Sequence, residues 1–302
     1  MSGLITVDLL RRLEQLQLLS ARRAKSSLKG ERRSRARGLS VEFADHRNYV
    51  SGDDLRYLDW NLYGRLDRLF LKLYEEEREL PVRIFLDASA SMTFGEPSKF
   101  LLARQLAAAV GYVALCGFDR VSVVAFPEAT GETAARETAV RGALRAVRGK
   151  KASMGYFQNL AALTAGGAAD FNAALKRGAM EARQTGVAIV LSDFLDPAGY
   201  EAGLTALIGR GFQVHAVQIL APEEIQPTSF GDLRLIDSET GVEQEVTFGK
   251  FRLAAYQQSV ANYVQRLREY CRARGVRFFS VSSATDLSVL LLKQLRAQEV
   301  WA

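Results

Sequence analysis

The stretch that decides the fold is Val82-Arg83-Ile84-Phe85-Leu86-Asp87-Ala88-Ser89-Ala90-Ser91-Met92. Its first five residues are apolar except for Arg83 and include types that favour extended backbone. Residues 82–86 therefore predict a short strand buried on both faces. A polar turn of small residues follows, and a helical pattern then runs from Ser98 to about Cys116. Strand, turn and helix in this order open an α/β unit.

A second apolar run ends in the same way. Residues Val187 to Leu191 predict another buried strand, and Asp193 follows it closely. In open α/β sheets, ligands bind beyond the carboxyl ends of the strands. If the two strands are neighbours at the point where the strand order reverses, Asp87 and Asp193 face one cleft. A helix cap or a plain turn is the alternative for each of these aspartates.

The side chains after the first strand suit a hard cation. Asp87, Ser89 and Ser91 offer a carboxylate and two hydroxyls, and such oxygen donors favour Mg²⁺ over zinc. The pattern resembles the metal-ion-dependent adhesion site of von Willebrand factor A domains. This resemblance implies that Asp193 completes the site together with a Thr from a later loop. The loop is Gly166–Asp170, where Ala169 stands at the Thr position. We therefore expect a weak Mg²⁺ site.

The segment before the strand begins a longer and more specific pattern. Its residues are Arg47, Tyr49, Gly52, Asp53, Asp54, Arg56, Asp59 and Trp60, followed by Asp87, Ser89, Ser91 and Met92. The pattern resembles the signature of the bacterial family called domain of unknown function fifty-eight, whose members are A-domain-like proteins associated with MoxR-type AAA+ ATPases. The resemblance implies a protein-binding role beside such an ATPase.

The Gly52-Asp53-Asp54 segment has two interpretations. Its aspartates can pair with nearby arginines, which favours a brace that locks the segment in place, and a direct functional role is the alternative. We expect the ring of Trp60 to be buried between this segment and the core. Its replacement by Ala would then lower the free energy of unfolding by about 3–5 kcal/mol.

The rest of the chain completes an α/β fold. We expect a doubly wound, mostly parallel sheet of von Willebrand factor A type in residues 79–302, with helices on both faces. Residues 1–78 are expected to form an N-terminal helical and β extension. In it, a leucine stripe predicts a helix from Asp8 to about Lys25 that packs on the protein's own core.

Composition and charge narrow the class of protein. The chain has 302 residues, of which 48% are hydrophobic and 25% charged, as in ordinary globular domains. Its net charge is +6, yet residues 11–37 alone hold ten Lys or Arg and two Glu. That segment carries +8, so the remainder is near −2. This basic segment has two interpretations, a solvated linker or a contact with nucleic acid or an acidic partner. No aromatic residues are interleaved with its arginines, which disfavours nucleic acid.

Cysteine usage and apolar runs suggest a compartment. Cys116 and Cys271 stand far apart without zinc spacing, which favours core thiols in a reducing, cytoplasmic setting. Residues 106–118 form the longest apolar stretch, and this is too short to span a bilayer. We therefore expect no transmembrane segment and interpret the stretch as a buried helix.

Three function classes follow from these features. The leading one is a metal-dependent protein-interaction module, an adaptor of a MoxR-type AAA+ ATPase in the assembly or maturation of protein complexes. A Mg²⁺-dependent phosphohydrolase is the enzyme alternative, but Ser89 stands where aspartate-nucleophile phosphatases place a second Asp as general acid. A nucleic-acid-binding protein that uses the basic segment is the third class.

Overall fold

The computed structural model describes residues 4–16, 41–76, 80–127, 143–227, 231–236, 243–248 and 250–294. These residues form two compact units. One consists of residues 4–16 together with the described residues from 80 onwards, and the other of residues 41–76. The larger unit contains the predicted sheet.

A six-stranded sheet forms the centre of the larger unit. Its strands are β3 Pro81–Asp87, β4 Arg120–Phe126, β5 Ala143–Arg148, β6 Val187–Ser192, β7 Gln213–Leu220 and β10 Arg277–Ser282. Their spatial order is β10-β7-β6-β3-β4-β5, and only the edge pair of β4 and β5 is antiparallel. The predicted α/β class with a mostly parallel sheet is confirmed.

The two strands that carry the predicted site are neighbours. Strands β3 and β6 run parallel, and Leu86 pairs with Leu191 in their register. Both are buried on both faces, since side chains alternate between two apolar clusters with the two-residue period of a strand. Ile84 and Leu86 enter one cluster, and Phe85 enters the other. The predicted adjacency of these strands is therefore confirmed.

Helices cover both faces of the sheet. The helices of this unit are α1 Val7–Leu13, α3 Lys99–Cys116, α4 Ser153–Ala162, α5 Phe171–Glu181, α6 Glu201–Arg210, the short α7 Pro222–Ile225 and α8 Lys250–Ala273. The first apolar cluster contains residues of α1, α3 and α4, and the second contains residues of α5, α6 and α8. A hairpin of β8 Gly231–Ile236 and β9 Glu243–Phe248 lies outside the central sheet.

Helix α1 is shorter than predicted and packs into the sheet's unit. It begins after Thr6, whose hydroxyl accepts a hydrogen bond from the backbone N–H of Leu9, so Thr6 and not Asp8 is the cap. Leu9 and Leu13 are buried in the first apolar cluster, as the stripe predicted. Burial of each such leucine contributes roughly 2 kcal/mol. The remainder of the predicted helix, from residue 17, lies outside the described residues.

Helix α3 is the buried helix that follows the site turn. Ser98 caps it by accepting a hydrogen bond from the backbone N–H of Leu101. By length and composition alone, α3 is long and apolar enough to cross a membrane, but 78% of its residues are buried inside the protein. We interpret it as a core helix, because its side chains fill the first apolar cluster.

The smaller unit contains a two-stranded antiparallel sheet. Strand β1 (Val41–Asn48) pairs with β2 (Phe70–Glu76), and a short helix, α2 (Trp60–Leu66), lies between them in sequence. A single helical turn at Leu55–Tyr57 precedes α2. The Gly-Asp-Asp segment therefore lies in the connection between two paired strands.

Candidate metal and protein-binding site

Asp87 ends β3 with a buried carboxylate. Its Oδ1 accepts a hydrogen bond of 3.0 Å from the backbone N–H of Ser89, and its Oδ2 accepts one of 2.6 Å from the hydroxyl of Ser192. Ser192 is the last residue of β6, so the hydrogen bond links the two central strands at their carboxyl ends. Only 4% of Asp87 is exposed.

The environment of Asp87 makes its negative charge costly. Burial, and then the charge of Asp193, raise the pKa of Asp87 to about 6, although hydrogen bonds from Ser192 and Ser89 act in the opposite direction. Asp193 directly follows Ser192, whose hydroxyl donates to Asp87, so both aspartates belong to the carboxyl ends of neighbouring strands. A cation between the two carboxylates would relieve this repulsion.

The two serines of the motif lie together. The hydroxyl oxygens of Ser89 and Ser91 are 2.9 Å apart and hydrogen-bonded. Ser89 is buried, Ser91 is half-buried, and a single helical turn follows at Ala90–Thr93. The hydroxyls therefore form a compact donor pair beside the backbone that holds Asp87.

The glycine loop lies against the same turn. The backbone N–H of Gly166 donates to the carbonyl of Ala88 at 2.8 Å, and the N–H of Ala90 donates to the carbonyl of Gly167 at 2.9 Å. Asp170 caps α5 by accepting a hydrogen bond from the N–H of Ala173. Ala169 packs beside the second apolar cluster and brings no hydroxyl to the site.

Asp193 carries an ion pair that the sequence analysis missed. Its Oδ2 accepts a hydrogen bond of 2.7 Å from the ammonium of Lys99, and the same ammonium lies 2.6 Å from Oε1 of Glu224. Lys99 is 1% exposed. Burial acts to lower the pKa of Lys99, but the charges of Asp193 and Glu224 more than offset it, so the pKa is raised and the amine stays protonated.

The backbone after Asp193 is held in an unusual conformation. Phe194 has a φ of 59°, in the left-handed region that bulky residues rarely adopt, and its ring is buried against Phe171 and Tyr200. The hydroxyl of Tyr263 donates a hydrogen bond to the Phe194 carbonyl. Such strain costs about 1–3 kcal/mol and persists only where the surrounding packing enforces it. Here the packing fixes the backbone direction next to Asp193.

The set of oxygen ligands fits a small hard cation, although one of them, the Asp193 carboxylate, already binds the Lys99 ammonium. Carboxylate and hydroxyl oxygens come from Asp87, Ser89, Ser91 and Asp193, which suits Mg²⁺. Two carboxylates, of Asp193 and Glu224, contact the ammonium of Lys99, and with the charge of Asp87 the group carries −2 when all are ionised. Among the residues that the structure describes, no group of three or more His, Cys, Asp or Glu forms a ready-made metal site. Hydroxyls are therefore needed to complete the coordination.

The Gly-Asp-Asp segment is held by its own ion pairs. The guanidinium of Arg47 lies 2.7 Å from Oδ1 of Asp53, and Asp53 also accepts from the N–H of Val50. Arg56 pairs with Asp54 at 2.6 Å. Asp54 also caps the helical turn that follows. These contacts within the unit of residues 41–76 favour the brace interpretation.

Asp59 is the most strongly held carboxylate of this unit. It caps α2 by accepting from the N–H groups of Asn61 and Leu62, and its Oδ2 lies 2.9 Å from Nε2 of His46 and 3.5 Å from Nζ of Lys72. The hydrogen bond from His46 is the largest cause that lowers the pKa of Asp59 to about 2. The carboxylate therefore stays charged and keeps the helix start fixed.

Trp60 does not have the predicted burial. Trp60 is 66% exposed, and its ring lies edge to face with that of Tyr63, with 6.3 Å between the ring centroids. Within the unit of residues 41–76 the ring is therefore exposed and not packed into a core. As the first residue of α2, Trp60 follows the cap Asp59 and projects from the helix start.

Comparison with known proteins identifies the family. The family model "Protein of unknown function DUF58" matches residues 45–266. The chain belongs to this family. The uncharacterized protein Rv1480 of Mycobacterium tuberculosis is 25% identical over 276 residues, which cover 91% of this chain and 84% of that protein. The uncharacterized protein Mb1516 of Mycobacterium bovis has the same identity and coverage.

Solved structures include one similar over most of its own length. The conserved hypothetical protein BatB from Bacteroides thetaiotaomicron is 14% identical, with a TM-score of 0.41 over 72% of this chain and 98% of that chain. The two mycobacterial relatives of this member of the DUF58 family are themselves uncharacterized.

Proposed function

We propose that the protein is a metal-dependent protein-interaction module of von Willebrand factor A type and serves as the partner of a MoxR-type AAA+ ATPase. The observation that supports the proposal is the buried Asp87 carboxylate at the carboxyl edge of neighbouring parallel strands, hydrogen-bonded to Ser192 and to the backbone of Ser89, with Asp193 next to Ser192 in the chain. This edge is where α/β sheets bind ligands. The ATPase partner is supported by the sequence resemblance alone.

The residues of the chain have distinct roles in this proposal. Mg²⁺ would be held by Asp87, Ser89, Ser91 and Asp193, and it would supply a positive charge for a carboxylate of the partner protein. Ser192 keeps the Asp87 carboxylate oriented through its 2.6 Å hydrogen bond. Because Ala169 offers no hydroxyl, fewer protein oxygens are available and metal binding is weak without the partner.

Capture of the purified ATPase tests the proposal. Immobilised protein should retain the MoxR-type ATPase in Mg²⁺, and the variant Asp87→Asn should lose this retention because it removes the charge with little change of shape. The matched control is Glu269→Gln, which removes one charge from an exposed position of α8. Since the ATPase itself uses Mg²⁺ with ATP, a chelator acts on both proteins, and the Asp87 variant decides. Equal capture by the wild type and Asp87→Asn would refute the proposal.

Metal binding is measured separately from capture. Calorimetry should detect weak Mg²⁺ binding to the wild type, absent in Asp87→Asn. The change Ala169→Thr supplies the hydroxyl that the resembled site has, and we expect it to strengthen binding. An unchanged affinity in that variant would show that the side chain at position 169 does not reach the metal.

The enzyme alternative has less support from the site. A phosphatase that uses Asp87 as nucleophile needs a nearby general acid, and the hydroxyl of Ser89 is hydrogen-bonded to that of Ser91. Mg²⁺-dependent phosphatase turnover that is abolished by Asp87→Asn would favour the enzyme. For nucleic-acid binding, residues 17–37 of the basic segment lie outside the described residues, so that alternative stays a sequence prediction.

A further inference from the structure

The buried ion pairs of Lys99 concern the same site. Lys99 is the first residue of α3, Asp193 follows β6, and Glu224 lies in α7, so one ammonium links three elements. Each carboxylate uses its second oxygen elsewhere. Oδ1 of Asp193 accepts from the N–H of Leu195 at 3.1 Å, and Oε2 of Glu224 accepts from the N–H of Ala221 at 2.7 Å. The other oxygen of each carboxylate, Oδ2 of Asp193 and Oε1 of Glu224, is the one bound by the Lys99 ammonium.

We propose that Lys99 is a built-in competitor of the metal and holds the Asp193 oxygen that Mg²⁺ must take. The inference rests on the proposed metal site and adds the residue that sets its affinity. An ammonium and a metal ion both bind through positive charge, and one carboxylate oxygen at 2.7 Å from Nζ cannot serve both fully. Metal binding at Asp193 leaves the ammonium paired with Glu224.

The competition makes metal occupancy conditional. In the wild type, Mg²⁺ binding must break a buried ion pair, a cost that weakens metal affinity. A partner carboxylate that binds the metal offsets this cost by linkage, so metal and partner strengthen each other's binding. Lys99 is therefore a positioning residue that acts through Asp193.

Removal of the ammonium distinguishes competition from structural support. Lys99→Gln keeps a hydrogen-bonding group near both carboxylates but removes the charge, and Lys99→Met removes both. A structural role predicts weaker Mg²⁺ binding in these variants. Competition predicts tighter binding, by about tenfold or more, within the range of typical coupling between sites. The matched control is Lys176→Gln, which removes one charge from an exposed position of α5.

Two measurements test the expectation. Calorimetry gives the Mg²⁺ affinity, and circular dichroism gives the rise in melting temperature on addition of Mg²⁺. We expect Lys99→Gln to melt lower than the wild type without metal, to gain more from Mg²⁺, and to lose this gain when combined with Asp87→Asn. If Lys99→Gln does not fold, Lys99→Met in Mg²⁺ tests the same expectation. Binding that is unchanged or weaker in the folded variants would overturn the competition while the wild-type metal site stands. Absence of Mg²⁺ binding in the wild type and both variants would overturn the competition and the metal site together.

Discussion

A methyl group added at Gly178 tests how tightly the sheet beneath the site is packed. Gly178 lies in α5, where alanine is favoured over glycine by about 1 kcal/mol. An added Cβ, however, would lie 2.3 Å from Cε1 and 2.8 Å from Cζ of Phe85. Phe85 is fully buried in β3, two residues before Asp87, so its ring can move only by displacing other core side chains. Overpacking of this kind costs about 1–3 kcal/mol.

The overlap is severe, so we expect the packing cost to exceed the helical gain in Gly178→Ala. The net loss in the free energy of unfolding should be about 1–2 kcal/mol. Denaturant unfolding followed by circular dichroism measures it. The matched control is Gly209→Ala in α6, where nothing lies within 4 Å of an added Cβ and stability should rise by up to about 1 kcal/mol. A Gly178→Ala protein as stable as the wild type would refute the reasoning.

Two further predictions concern pH and exposure. Burial, and then the charge of Arg277, lower the pKa of His215 to about 4 from an ordinary 6.5. The stability from keeping His215 neutral is therefore complete above pH 6.5, and about 3 kcal/mol is lost as pH falls to 4. Unfolding at several pH values should show this loss, and His215→Gln should flatten it; an equal slope in both proteins would contradict it. Trp60→Ala should change stability by less than about 0.5 kcal/mol in thermal melts, because the ring is exposed. A loss near 3 kcal/mol would contradict this.

The sheet and the meeting of the site residues could be predicted because they depend on local patterns. Short apolar runs predict buried strands, and parallel strands bring their carboxyl ends to one edge. Asp87 and Asp193 each follow such a run, so their approach needed only the strand order. Strand β5 was harder, because it runs antiparallel at the edge of the sheet and its residues 143–148 mix apolar side chains with arginines instead of forming an apolar run.

The partners of Asp193 could not be predicted in the same way. Lys99 is 94 residues from Asp193 and 125 from Glu224, and neither separation follows from strand or helix periodicity. A lysine in the first turn of a helix is usually solvated. A usable signal was present, since Lys99 follows the cap Ser98 directly and the apolar residues Phe100, Leu101 and Leu102 come immediately after it. Burial of that first turn places the ammonium inside the protein.

The exposure of Trp60 is a second feature that the sequence pattern did not predict. A tryptophan within a long family signature suggested a buried anchor, yet the local rule that operates is the cap at Asp59. Capping fixes where α2 begins but does not fix which side its first residue faces. The three-dimensional outcome leaves the ring 66% exposed.

Stability alone does not account for the charged cluster at the sheet edge. Replacement of a buried ion pair by packed apolar side chains is often neutral or stabilising, so Lys99 with Asp193 and Glu224 is no efficient way to hold α3, β6 and α7 together. Asp87 adds a further buried carboxylate, whose raised pKa shows that its charge is not fully compensated. A cluster that keeps excess negative charge beside hydroxyl donors is suited to receive a cation. The single ammonium inside it then determines how readily that cation enters.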